Sequence, residues 1–148
     1  MPELPDLLYI LRHLRERVLG RPVTAERVRE PVVLRYTVRG NLSLLLGRKL
    51  GDAFRKSHFL VFRFEGLDLA VNPMLAGRFR LAEPGSPDEA SLGFALGFGD
   101  VELRYLDDKK MGKAYLIATD DFQAIPGMQT GGVDVLGPEF TRERFLSL

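Results

Sequence analysis

The chain has 148 residues, 45% hydrophobic and 28% charged, and its 21 lysines and arginines against 20 acidic residues give a formal charge of +1. One globular domain of this size buries roughly two thirds of the surface its unfolded chain exposes, and so near-neutral a total excludes no partner, since nucleic acid reads patches rather than sums. The absence of cysteine excludes a disulfide framework, a thiolate zinc site and a cysteine nucleophile, and two histidines, His13 and His58, standing 45 positions apart argue against a histidine-based metal site.

From Pro5 to Val18 the apolar residues Leu7, Leu8, Leu11, Leu14 and Val18 recur at helical spacing, with Arg12, Arg15 and Glu16 mostly on the other face. Pro5 suits a first helical turn, and Gly20 with Pro22 stops the helix. The period then becomes two. Residues 59–64, 67–71, 77–81, 92–98, 101–106 and 114–118 read as short strands, with hairpin turns at Glu65-Gly66 and Gly99-Asp100. Val101 to Tyr105 alternates strictly, as a half-buried strand does. The expected class is mainly β with flanking helices: a β-sandwich of antiparallel strands whose N-terminal α-helix covers an open side.

Charge is unevenly spread. Arg12 to Arg29 holds six arginines against Glu16 and Glu26, whereas Glu83 to Glu102 holds five acids and no base, so the two regions are expected to face different surroundings. Residues 82–91 have the composition of an exposed, mobile loop. Apolar runs such as Leu44–Leu46 are far too short to span a membrane and no secretion signal precedes them, so the expected location is the cytoplasm.

The opening Met1-Pro2-Glu3-Leu4-Pro5-Asp6 carries the sharpest chemical signal. A small second residue normally permits removal of the initiator methionine, which gives Pro2 a free secondary amine. An α-amino group titrates at about 7.7–8.0, so part of it is neutral and nucleophilic near neutrality. Glu3 beside it is a candidate proton shuttle. For a bare Met-Pro start, the alternative is a simple lead-in to the helix.

This opening resembles that of the formamidopyrimidine-DNA glycosylase and endonuclease VIII family, usually Met-Pro-Glu-Leu-Pro-Glu, with Asp6 in place of the last glutamate. Further landmarks follow in the same order: a strand around Lys56-Ser57-His58-Phe59-Leu60, the turn Asn72-Pro73-Met74-Leu75-Ala76-Gly77-Arg78, the segment Tyr105-Leu106-Asp107-Asp108-Lys109-Lys110-Met111-Gly112, and Leu136-Gly137-Pro138-Glu139. The resemblance covers essentially the whole chain. It implies one catalytic-type N-terminal domain over residues 1–148. The family's helix-two-turn-helix and zinc-finger domain has no counterpart here, so any zinc belongs to a missing C-terminal domain and no cofactor is expected in this chain.

The resemblance further implies DNA repair on damaged double-stranded DNA in a bacterial, nucleoid-associated setting. A damaged base is flipped out, the proline amine attacks the anomeric carbon, and the iminium drives strand cleavage by elimination. Pro2 and Glu3 match the catalytic pair. The DNA grip departs from the family pattern. His58 stands where a phosphate-binding lysine is usual, with Lys56 two residues earlier on the same strand face as a substitute. Asn72 replaces a phosphate-contacting histidine. Leu75, or its neighbour Met74, occupies the place of a methionine that fills the gap left by the flipped base, unless it packs in the core. Lys109 and Lys110 replace two arginines, Lys109 losing the planar fork that reads base edges, and Met111 replaces a wedging phenylalanine. The alternative function is a catalytically inactive nucleic-acid-binding or assembly module of the same fold.

Overall fold

The computed structural model describes residues 4–29, 34–36, 41–74 and 76–126. Helix α1 spans Leu4–Arg17, close to the predicted bounds, with Arg15 and Arg17 in its last turn, where cations suit the negative end of the dipole. Its buried residues Ile10, Leu11 and Leu14, followed by Val18, join the main core. Among the described residues nine strands follow: β1 (Ala25–Val28), β2 (Leu34–Tyr36), β3 (Asp52–Lys56), β4 (Phe59–Phe64), β5 (Leu67–Asn72), β6 (Gly77–Ala82), β7 (Leu92–Gly97), β8 (Glu102–Asp107) and β9 (Lys113–Ala118). Short 3-10 turns lie at Leu42–Leu45 and Phe122–Ala124.

The strands form two sheets, of order β1-β7-β8-β6 and β2-β9-β5-β4-β3. All pairings are antiparallel except β2 with β9. This is the expected sandwich. Alternation divides the five-stranded sheet into two faces: Leu60, Phe62, Leu69, Val71 and Leu116 enter the main core, while Phe59, Val61, Ala70, Tyr115 and Ile117 form a second cluster outside. Phe122 and Ile125 close over that outer cluster, so the sheet is covered on both sides.

Three expectations are corrected. Residues 56–60 are not one strand: Ser57, at φ +56°, turns the chain between β3 and β4, so Lys56 ends one strand and His58 lies in the turn. The ladder Lys56↔Phe59 makes this a two-residue hairpin, whose tight turn needs a positive φ that serine can supply at some cost. Second, β8 is buried on both faces rather than one. Its polar residues Glu102 and Arg104 lie beneath residues 83–91, which run along the outer face of the four-stranded sheet. Third, the arginine-rich and acid-rich regions face each other: Arg27 bonds Asp88 and Glu102, Arg29 reaches Asp88, and Arg21 pairs with Asp100. The loop expected to be mobile is thereby held. Fully buried Arg104 donates to Glu102 and Glu89 at 2.6 Å each and to the Ser86 and Pro87 carbonyls. Composition marked those residues as loop, but not the buried arginine that ties them down.

Candidate nucleic-acid interface

Register fixes which connections share an end of the sandwich. The pairs Lys56↔Phe59, Leu60↔Val71, Asn72↔Lys113 and Gly77↔Asp107 lie successively toward one edge. The β3–β4 turn, the β5–β6 crossing and the β8–β9 crossing therefore emerge together. The two crossings are neighbours, because β5 pairs β9 in one sheet and β6 pairs β8 in the other. The turns at residues 65–66 and 99–100 lie at the opposite end.

Helix α1 points its start toward the first of these ends. Near its C-terminus, the Gly20 N–H donates to the Leu50 carbonyl, and one turn earlier Arg15 Nη2 donates to the Ala53 carbonyl at 3.3 Å. Moving toward the helix N-terminus thus follows β3 toward its hairpin. At about 1.5 Å per residue, the stretch back to Leu4 carries the helix start well along in that direction.

The side chains of this end are mainly cationic. Among the described residues Arg78, Lys109, Lys110 and Lys113 are exposed there, as is His58, with Asp108 as the exposed acid. Arg78 Nη1 stands 4.0 Å from Asp108, bridging the two crossings at the surface. Met111 is 45% exposed, an uncovered apolar tip between charged neighbours. Lys56 lies over the Phe122 ring at 4.9 Å, on the five-stranded sheet's outer face. Lys56 and His58 are therefore close in sequence but differently employed.

The crossings are built from local hydrogen bonds. Asn72 Oδ1 accepts the Met74 N–H at 3.1 Å and the Pro73 carbonyl accepts the Gly77 N–H at 2.9 Å, which together hold Met74 at φ +56°. The half-buried Asn72 is thus a turn-former first. In the β8–β9 crossing, buried Asp107 accepts the Lys109 and Lys110 amides on Oδ1 at 3.1 and 2.9 Å, and the Gly112 amide on Oδ2 at 2.7 Å. The Tyr105 hydroxyl donates to the same Oδ2 at 2.8 Å. Burial, and then the adjacent carboxylate, push this phenol far above its ordinary range, so it stays a donor.

Lys109, Lys110 and Met111 are thus brought together with His58 and Asn72 at one end, and Lys56 sits at its margin. Pro2, Glu3 and Leu75 lie outside the described residues, as does the Leu136–Glu139 landmark; Asp6 lies in the first turn of α1. Tyr105 and Asp107 stand in a landmark segment of the sequence but had no role assigned to them there. Their i, i+2 spacing on one strand face, ending at a turn, was the available signal.

The family model for the formamidopyrimidine-DNA glycosylase N-terminal domain matches residues 1–114. The chain belongs to this family. Among curated formamidopyrimidine-DNA glycosylases, that of Lactococcus lactis subsp. lactis is 30% identical over 146 residues, covering 98% of this chain and 52% of the relative. That of Cellvibrio japonicus is 31% identical over 142 residues, covering 95% and 52%. The chain spans about half the length of the formamidopyrimidine-DNA glycosylases it matches. The fold agrees with the Lactococcus lactis enzyme solved with abasic-site DNA, at TM-score 0.75 and 25% identity over 82% of this chain and 46% of that one. The same enzyme with Fapy-dG-containing DNA matches at TM-score 0.74 and 25% identity, over the same shares. Among the described residues no helix is long and apolar enough to cross a membrane.

Proposed function

We propose that this chain works in DNA repair as the N-terminal half of a DNA glycosylase with abasic-site lyase activity, which removes oxidised bases through an iminium on Pro2. The observation that carries the reading is the gathering of three turns at one mainly cationic end, in a family whose solved members hold abasic-site and Fapy-dG DNA. Damaged duplex DNA is the proposed partner, and the bacterial cytoplasm, where the chromosome lies, the proposed location.

In this reading the Pro2 amine adds to C1′ of a flipped-out nucleotide as the glycosidic C–N bond breaks. The base leaves with the bonding pair and takes a proton from Glu3. Ring opening, with a proton to O4′, gives the iminium. That cation acidifies C2′, and loss of a C2′ proton expels the 3′ phosphate. No metal or cofactor takes part. The cationic turns supply the phosphate contacts, and an apolar side chain from a crossing fills the vacated stack.

Sodium borohydride tests the step by reducing the iminium to a stable amine. Incubated with an abasic-site duplex, the methionine-processed chain is expected to give a covalent adduct that is lost in a Pro2→Gly variant with one residue added in front. Mass measurement of the N-terminus establishes the processing. A processed chain that binds the duplex and yields no adduct overturns the lyase reading. It would instead favour a catalytically inactive binding module, for which two observations speak: Asn72 Oδ1 is engaged in its own turn, and lysine stands where the family pattern carries a base-reading arginine.

A further inference from the structure

Tyr105 is fully buried between the two crossings and makes contact with both. Its ring stacks on Phe94, centroids 5.4 Å apart, and tilts against Phe79 at 5.2 Å. The hydroxyl end is enclosed by glycines from separate turns. A Cβ on Gly77, at the foot of the β5–β6 crossing, would overlap the Tyr105 oxygen and the Pro73 carbonyl. A Cβ on Gly112, which closes the β8–β9 crossing, would overlap the same oxygen and lie 2.7 Å from Asp107 Oδ2. On the ring's side, a Cβ on Gly93 would come within 3.0 Å of Cδ2. All three positions give up a side chain to admit one phenol.

The hydrogen bonds run from that oxygen into the second crossing. Asp107 Oδ2 accepts both the Tyr105 hydroxyl and the Gly112 amide, while Oδ1 accepts the Lys109 and Lys110 amides. Lys110 is held at φ +56°, a conformation that a non-glycine residue keeps only when its surroundings enforce it. Gly77 is itself the register partner of Asp107. One buried carboxylate and one buried hydroxyl thus fix the shape of the second turn and its distance from the first. A phenylalanine would pack equally well on Phe94 and Phe79, so core packing does not require the oxygen.

We infer that Tyr105 and Asp107 form a buried strut that couples the β5–β6 and β8–β9 crossings into one rigid DNA-facing unit. Neither residue touches DNA in this arrangement; both are positioning residues. The strut itself is independent of function, and only its purpose rests on the proposed DNA reading. Two turns that enter a distorted duplex together must hold their separation, because a loose pair would have to be ordered on binding, at a cost in affinity for the distorted site.

Amide hydrogen exchange on the whole chain tests the strut by disturbing one crossing and reading the other. Gly77→Ala is expected to accelerate exchange at Lys110 and Gly112 on the order of tenfold, the scale of losing a hydrogen bond to a charged group. Adding Tyr105→Phe removes the overlap and is expected to cancel most of that distant effect, while the effect within the 73–77 turn persists through the Pro73 carbonyl. Asp107→Asn, which adds no bulk, serves if Gly77→Ala does not fold. It is expected to accelerate exchange at Gly112 and at Gly77 together, with the β4–β5 hairpin still protected. Acceleration confined to the substituted turn overturns the strut.

Competition between abasic-site and undamaged duplexes tests the purpose. Asp107→Asn is expected to lower the preference for the abasic site about tenfold while leaving the salt slope of binding unchanged, since no cation is removed. An unchanged preference overturns the assignment of the strut to DNA recognition. A wild-type chain with no preference at all would sink the DNA reading, while the exchange result would still decide the strut.

Discussion

Arg104 shows how one residue can decide the standing of a whole segment. Its guanidinium, fully buried, has Glu102 on Nε and Glu89 on Nη1, and its remaining donors go to carbonyls of the loop above. Removing one partner from such a cluster strands the other charges in low dielectric, which costs more than the intact cluster contributes. Arg104→Met is therefore expected to destabilise the chain by about 3–5 kcal/mol in urea unfolding and to open residues 83–91 to proteolysis. The pH dependence follows from Glu89. Burial alone would raise its pKa, but hydrogen bonds from Arg80, from its own backbone amide and from Arg104 outweigh that and hold it at about 2, against an ordinary 4.5. A depressed carboxylate pKa stabilises fully above the unfolded value and loses that contribution as pH falls through the folded one. The wild type should lose stability between about pH 4.5 and pH 2, and the deficit of Arg104→Met should shrink over the same interval. A deficit that stays constant with pH would show that Glu89 does not depend on Arg104.

At the scale of elements, the β3–β4 turn departs from the strand expected over residues 56–60 and bears on the proposed DNA binding. His58 is an exposed turn residue rather than part of a strand face, so a cation placed there can reach outward without disturbing a ladder. His58→Lys is expected to leave the melting temperature unchanged and to steepen the salt dependence of duplex binding by about 0.9 in log–log slope, one phosphate contact. An unchanged slope would place the turn outside the interface. The strands that alternate cleanly or run as apolar blocks, β4 to β9, were legible from sequence as strands, although in β8 the polar face that alternation assigns to solvent is buried as well. By contrast, β1 and β3 are rich in charge (Ala25-Glu26-Arg27-Val28 and Asp52-Ala53-Phe54-Arg55-Lys56) and are strands only because a neighbour accepts them. β2 has just three residues on a parallel edge. Of the candidate site, the two crossings and the cations Lys109 and Lys110 were visible through family resemblance, and the β3–β4 turn was not. The Tyr105–Asp107 strut was not, since a strand ending in Tyr-x-Asp discloses its contact with two separate glycines only once the sheets are stacked.

At the scale of the molecule, a formal charge of +1 conceals a division of labour. Arg27, Arg29, Arg80 and Arg104 share the three carboxylates of Asp88, Glu89 and Glu102 on the outer face of the four-stranded sheet, so these four cations leave only one net positive charge there. Lys109 and Lys110, on the β8–β9 crossing, stand instead at the end where the three turns meet. Position rather than net charge should then govern DNA binding, because screened charges act over about 10 Å at moderate salt. Two charge-matched double variants decide it. Lys109→Ala with Lys110→Ala removes two cations from the turn-bearing end. Arg17→Ala with Lys49→Ala removes two from the opposite end, where Lys49 bridges to Pro22 ahead of β3 and Arg17 closes α1. The first pair is expected to flatten the salt slope by roughly 1–2 units and to weaken binding at low salt, each phosphate contact contributing about 0.9. The second should leave the slope within error of the wild type. Equal losses in the two variants would mean that duplex DNA sees only the overall charge of the chain, and the mainly cationic end would then have no claim to be the interface.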